Sequence, residues 1–414
     1  MAALAIDVVT LYVARSEIQR AADAAALAGA KAMADSGITT LSSTDLITYE
    51  PSIQTLAQSM AMSAINAVLP NNLVAGSAPT LAAGSPSFNP SLAAIPTTPA
   101  NSWQVTVTLQ RTNLPTFFAH IWGTTAATVS ATATAEAYNP ANLASFTPVS
   151  LTNIKPWFVA NRDPTHGSST QFVVPVTGAV EAGVTTDPAF WLQSDCSGSA
   201  NPCSLSVTPP GVVSGPPVAV QYVPALVTPN TANVCPASST VCESGSDYEN
   251  SIQCSDVNPY PCGGTGTNAQ WDTTNNVNPN IGSTSSAYTT DGVECLIHAA
   301  GTGLGQGQDF LDNTLWPYGP FQIKRGGGST VVSTSNSIVT IPIIDIDTTG
   351  AFSASGPVTV IGFLQAFIQQ IDTSNRVQIN VMNVVGCSQT PNGFYPVVGG
   401  SGASAIPVRL VYLP

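Results

Sequence analysis

The residues that could do chemistry are few, and they are scattered. Asp195-Cys-Ser-Gly-Ser199 has the spacing D-x-S-x-S, in which one carboxylate and two hydroxyls can surround Mg²⁺. That arrangement needs a buried parallel strand before it and a helix after it. Cys203 and Pro209-Pro210 follow instead, so a disulfide-closed loop is the expected structure. The stretch from Asp272 to Asn280, and the stretch Asp345-Ile-Asp347-Thr-Thr-Gly350, could present oxygens to Ca²⁺. Neither has the twelve-residue loop with its closing glutamate, and Asn/Asp turns explain both without a metal. No cofactor is therefore expected, with calcium as the one candidate.

The histidines point the same way. His120 sits in the apolar run Phe-Phe-Ala-His-Ile-Trp, where packing is the default. His166 follows Asp163-Pro164, and His298 follows Cys295 at short range. No G-x-S-x-G elbow, H-E-x-x-H or Cys/His hydrolase pattern occurs. Gly301-Thr-Gly-Leu-Gly-Gln-Gly307 is not a dinucleotide fingerprint, and no P-loop lysine follows it. The expectation is a protein that is not an enzyme. A surface glycosidase using two carboxylates is the enzymatic alternative, although nothing nominates the pair.

Cysteine chemistry is better defined. Cys196, Cys203, Cys235, Cys242, Cys254, Cys262, Cys295 and Cys387 all lie in the second half of the chain. An even count amid Gly, Pro and Asn predicts disulfides, hence an oxidising compartment. Spacing favours the local pairs Cys196–Cys203, Cys235–Cys242 and Cys254–Cys262, which leaves Cys295–Cys387 as a long-range pair; other pairings remain open. Zinc is disfavoured because no C-x-x-C is present.

Composition supports export. Charged residues make up 8% of the 414, against about 25% in ordinary soluble domains. The net charge is −13, and the three lysines are Lys31, Lys155 and Lys324. Without a basic cluster, nucleic-acid binding is excluded. The deficit is spread along the chain and reads as solubility charge.

These residues must be positioned by three kinds of element. Residues 1–35 read as one helix of high propensity, stopped at Ser36-Gly37. Glu17 with Arg20, and Arg20 with Asp23, are spaced to pair on it. Leu4, Val8, Leu11, Arg15, Ile18, Ala22, Ala25 and Gly29 recur at spacings of three or four and form a seam that turns small towards Gly29. The apolar start, Met1 to Val13, is shorter than the roughly 20 residues that span a bilayer, so it reads as the remainder of a longer or processed segment. A second helix is expected over 51–68, with Pro51 at its first position and Ile53, Leu56, Met60, Ala64 and Ala67 as its apolar stripe.

Strands follow at 105–108 and 129–137, where apolar and polar residues alternate. A short helical turn is expected between them at 115–122. Beyond about 146, apolar runs at 172–176, 218–223, 338–346, 358–361, 377–385 and 406–413 predict an all-β sandwich or irregular barrel. A short helix is expected at 363–370, and residues 196–290 read as a disulfide-stapled insertion. The fold class is thus α+β. It comprises a long N-terminal helix (1–36), a small α+β unit (37–140) and a β-rich domain (141–414).

The stretch from Asp7 to Ala30 resembles the N-terminal signature of the TadE/TadG-like proteins of tight-adherence (Flp) pilus systems. The matching positions are Asp7, Tyr12, Arg15, Gln19, Ala21, Ala22, Asp23 and the run Ala24 to Ala30. Val9 stands where a glycine is common. Glu294-Cys-Leu-Ile-His298, Gly305 to Asp309, Ile338 to Asp345 and Val358 to Phe367 are similar to larger members of that family. Some of those resemble carriers of von Willebrand A domains, whose metal motif the D-x-S-x-S spacing matches.

The resemblance implies an exported structural protein of a pilus or surface filament. Its helix, including Tyr12, Gln19 and Asp23, would mediate assembly with copies of itself and other pilus components, or association with the inner or outer membrane. A rival class is a surface adhesin, whose loops at 196–290, with Trp191 and Trp271, would contact a glycan or neighbouring cell.

Overall fold

The computed structural model describes residues 2–40, 43–89, 102–116, 118, 123, 126–139, 150–151, 154–164, 170–175, 177–181, 189–194, 212–213, 218–227, 242, 246–254, 260–261, 270–271, 277–278, 286–298, 307–312, 322–326, 328–346, 357–387, 397–398 and 406–411. The fold is α+β, with a long N-terminal helix, a few other helices and a mostly strand body.

Helix α1 runs Ala2–Asp35. Its alanine-rich sequence needs no capping box to propagate. It ends where expected: Gly37 adopts φ 82° and its N–H donates to Ala34 O, a left-handed turn that glycine makes without strain. Helix α2 runs Ser43–Val68, so it begins two turns before Pro51. The proline is an interior residue, not the first one, and it leaves one carbonyl of the preceding turn without its helical donor. Of the expected stripe, Met60 and Ala64 are buried, Leu56 is half-buried and Ala67 is exposed. The side chain of Ile53 lies outside the described ones.

Helix α2 packs on α1, and α1 packs on a five-stranded antiparallel sheet. Its centre is β3 (Ser102–Pro115), flanked on one side by β1 (Thr80–Leu81) and β2 (Ser87–Asn89), and on the other by β4 (Ala126–Tyr138). Alternation decides the faces. Trp103, Val105, Val107 and Leu109 point into a core shared with Ile18, Ala22, Ala25 and Ile65. The polar residues between them lie half-buried on the opposite face, where Thr106 pairs with Thr134 at 2.8 Å and Thr108 with Thr132 at 2.9 Å. The turn expected at 115–122 falls largely outside the described residues.

The second body is a ring of strands. β5 (Trp157–Ala160), β6 (Phe190–Ser194), β7 (Ala219–Pro224), β10 (Ile338–Ile344), β11 (Val358–Ile371) and β12 (Val377–Gly386) pair in the cyclic order β11-β10-β5-β7-β6-β12, and β12 pairs back to β11. The irregular-barrel expectation describes this ring. A hairpin of β8 (Asp309–Asp312) and β9 (Gln322–Arg325) lies beside it. The last strand, β13 (Val408–Val411), leaves this body and pairs antiparallel with β4 of the first sheet.

Three expectations fail here. Residues 363–370 are not a helix but the middle of β11. Phe363, Gln365 and Phe367 alternate with Leu364, Ala366 and Ile368, and all six are buried; pairing on both edges overrides the helical propensity of Leu, Gln and Ala. Of the run 172–176, the described residues 172–175 hold an isolated bridge, Val173 to Val180, and not a strand. Two helices occur where little helix was expected: α3 (Asp247–Gln253) and α4 (Ser286–Ile297). Their Tyr248, Ile252, Val293 and Leu296 join the largest core, together with Val220, Ile341 and Leu364.

The disulfide pairing is also corrected. Cys242 bonds Cys295, which excludes both Cys235–Cys242 and Cys295–Cys387. The bond fixes α4 to the segment before α3, and it forms because α4, unseen in the sequence, carries Cys295 into the core. Cys254 and Cys387 are also disulfide-bonded. Cys196, Cys203, Cys235 and Cys262 lie outside the described residues.

Candidate functional site: the outward face of the N-terminal helix

The candidate seam on α1 divides into two faces. Ile18, Ala22, Ala25 and Gly29 are buried and Leu11 is half-buried, all within the protein's own core. Val8, Tyr12, Arg15 and Gln19 are exposed. Asp23 is half-buried, and the side chain of Leu4 lies outside the described ones. The buried row runs Asp7, Leu11, Ala14, Ile18, Ala21, Ala25, one position off the expected one at its start.

The reason is Asp7. A sequence reading places Val8 inside and the carboxylate outside. In the fold Asp7 is 4% exposed, and its Oδ2 accepts from the backbone N–H of Phe118 at 2.9 Å. A satisfied carboxylate can be buried where an unsatisfied one cannot. That bond turns the helix, and an apolar group then faces out. Ile6, Val8, Val9, Tyr12 and Val13 are all exposed, Val8 at 58%, Val9 at 61% and Tyr12 at 76%. Scattered exposed apolar residues are ordinary, but five within eight positions of one helix form a patch.

Charge and hydrogen bonding finish this surface. The expected pairs Glu17–Arg20 and Arg20–Asp23 do not form. Glu17 Oε2 instead accepts from the N–H of Ala75 at 2.8 Å, and Asp23 Oδ1 from Gln19 Nε2 at 2.9 Å. Arg15 and Arg20 therefore stand exposed with no ion pair among the described residues. Gln19 Nε2 also reaches Thr132 O of β4 at 3.4 Å.

Further along, the helix is held tightly. A Cβ on Gly29 would lie 3.0 Å from Ile65 Cδ1 and 3.1 Å from Val105 Cγ1. Gly29 thus lets α1 approach both α2 and β3. Gly29→Val is expected to cost about 1–3 kcal/mol through overpacking. Gly29→Ala should be nearly neutral, because roughly 1 kcal/mol of helix propensity offsets the tight contact. Urea midpoints of the two variants check this.

At its end, α1 plugs into the ring. Asp35 is fully buried and accepts from Lys31 Nζ at 2.6 Å and from Gln365 Nε2 at 2.8 Å. Asn383 Oδ1 accepts from the hydroxyls of Thr39 at 3.0 Å and Thr40 at 2.8 Å. Asn383 Nδ2 donates to Ala34 O at 2.7 Å and to Gln365 Oε1. The Asn139 side chain adds a bond to Val384 O at 3.0 Å. Sequence reasoning missed this network. Its signal was Asn383 within the apolar run Val381-Met-Asn-Val-Val385.

The remaining candidates are dispersed. Asp345 is buried at the end of β10, with its N–H on Thr359 O; Asp195, Asp272 and Asp347 lie outside the described residues. Among the described residues, no three His, Cys, Asp or Glu side chains converge on a metal site. His298 is buried, with Nδ1 2.8 Å from Glu294 Oε2. His120 and His166 are outside the described residues. Trp271 is not a surface contact: it is fully buried between Phe158, Tyr260 and Phe363. Trp191 is half-buried, with the Arg376 guanidinium 5.2 Å over its ring. Where β13 meets β4, burial pushes the Tyr138 hydroxyl above its ordinary range; Arg409 opposes this and Glu136 reinforces it.

This geometry defines a class: a helix seated by one face in its own domain, with an open apolar face near its start. Residues 1–32 match the model of the Flp pilus-assembly TadE/G-like family, which agrees with the resemblance of Asp7 to Ala30 and supports a pilus-associated role. The match covers most of α1. No curated protein and no solved structure matches the chain. Among the described residues, no helix is long and apolar enough to cross a membrane.

Proposed function

We propose that this protein is a non-enzymatic, exported structural component of an Flp-type pilus or surface filament. Its contact with neighbouring pilus components is made through the open face of α1. The observation that carries this reading is the coincidence of two facts: the family match falls on residues 1–32, and the same stretch exposes Ile6, Val8, Val9, Tyr12 and Val13. An apolar helix face laid into a groove, or against like helices, recovers about 25 cal/mol for each Å² removed from water. The low charge and Thr-covered sheet suit the outside of such an assembly.

The test is the double substitution Val9→Asp and Tyr12→Asp. Both positions are exposed, so far-UV dichroism and melting should stay unchanged. Co-purification with sheared surface appendages, followed by electron microscopy, should show the variant absent from them. Unchanged association would overturn the reading, as would a wild-type protein recovered only as isolated monomers. The same apolar face, followed by Arg15 and Arg20, also has the make-up of a helix that meets a bilayer surface. Wild type in the membrane fraction but not in appendages would select that reading.

A further inference from the structure

The first sheet has two unlike edges. One is blunted: β1 and β2 are two and three residues long and are separated by Pro86. Short strands and proline are how sheets prevent edge pairing. The other edge is β4. β13 covers it only from Thr134 to Ala137. From Ala126 to Ala133 no described strand pairs with it except β3.

The direction of its backbone groups follows from its neighbours. Thr108, opposite Thr132, donates its N–H to Ser85 Oγ and accepts from Ala82 N, both on the β1–β2 side. Gln110, opposite Ser130, has its carbonyl on the same side, where Thr80 Oγ1 reaches it. Thr132 and Ser130 therefore turn their N–H and C=O groups outward, because opposed residues in an antiparallel pair bond either to each other or away from each other. Tyr138, of the same parity, confirms this by donating its N–H outward to Pro407 O. Thr128 completes the row. Gln19 takes the carbonyl of Thr132, so the groups left open among the described residues are those of Thr128 and Ser130 and the N–H of Thr132.

The stretch Ala126-Ala-Thr-Val-Ser-Ala-Thr-Ala133 carries no charge and no proline. The one irregularity of the ladder, at Asn113, is on β3. Helix α1 runs alongside it: Asp7 bonds at Phe118, just before β4, and Gln19 bonds at Thr132. The outward row Val8, Tyr12, Arg15 thus flanks the open edge.

The geometry points to a second copy of this chain as the occupant, added antiparallel to β4 about a two-fold axis through Val129. In that register Thr128 faces Ser130 of the other copy, and Ser130 faces its Thr128. Both residues have outward N–H and C=O groups, so each pair can exchange two hydrogen bonds. The side chains brought together are Ala, Thr, Val and Ser, with no like charges opposed. The open stretch is bounded by β13 and Gln19, and a copy of itself has matching length. An isologous pair of this kind closes as a dimer and does not propagate. It concerns the backbone groups of the sheet edge, whereas the pilus reading concerns the adjoining apolar face of α1.

The test uses the full chain in solution. Sedimentation velocity over a range of concentrations should show a monomer–dimer equilibrium. Amide exchange of residues 126–132 should slow as concentration rises. Ser130→Pro removes one outward N–H and leaves the β3 ladder intact. Thr128→Lys with Ser130→Lys opposes like charges across the axis. Each should raise the dissociation constant at least about tenfold, with melting unchanged. Three results overturn the proposal: a monomer at all concentrations, dimers that persist in both variants, or exchange at 126–132 that ignores concentration. Protection that appears only when an appendage fraction is added would make the occupant another chain, and would also overturn it.

Discussion

Asn383→Leu is expected to lower stability by about 3 kcal/mol. Four hydrogen bonds converge on that side chain, from Thr39 and Thr40 and to Ala34 and Gln365. At about 1–1.5 kcal/mol each their loss costs roughly 4–6 kcal/mol. The added apolar surface of leucine returns about 2 kcal/mol. The loss wins because the partners left behind are buried. Denaturant titration measures the total, and amide exchange should show residues 30–40 opening first. A change below about 1 kcal/mol would mean that the network is not what seats the helix end.

Gly386→Ala is expected to prevent folding or to cost more than about 4 kcal/mol. A Cβ there would lie 1.8 Å from Gly178 O and 2.5 Å from Gly178 C, whereas real Cβ atoms essentially never come within 3.0 Å of such a neighbour. The obstruction is backbone, so no rotamer change relieves it. Gly178 is itself held, with φ 69° and its N–H on Val174 O at 2.8 Å. The adjacent Cys387 is disulfide-bonded. Gly84→Ala is the matched control: nothing lies within 4 Å and only its φ of 76° resists, a cost of about 1–2 kcal/mol. Soluble yield and melting temperature separate the two. Similar behaviour of both variants would sink the close-approach argument.

What could be read in advance followed from local physics. The extent of α1 was legible because its composition and the Ser36-Gly37 stop both act locally. Strands β3 and β4 were legible because apolar and polar residues alternate along them, with the small and apolar set turned to the helix. Strand β11 was not: with both faces buried it loses its period, and Phe363-Leu-Gln-Ala-Phe-Ile looks helical. Helix α3 left a signal that went unread. Ser246 and Glu249 have the S-x-x-E spacing, and Ser246 Oγ does accept from the N–H of Glu249 at 3.2 Å.

The candidate site was half legible. That α1 would carry it followed from composition, but which residues of the helix face outward depends on Asp7 finding Phe118, a contact 111 residues away in sequence. The seat of the helix end on Gln365 and Asn383 lies still further beyond local pattern.

The buried seat of Asp35 has a mechanical side. In the proposed role the protein would be pulled as well as bound. The last turn of α1 is joined to the ring by side chains that share its hydrogen bonds, with Asn383 touching Ala34 and Gln365 touching Asp35. No compliant tether intervenes, so tension applied along the helix reaches β11 and β12 directly. There the load is shared among several hydrogen bonds. The protein is built to behave under load as a stiff rivet, with little of the give of a spring.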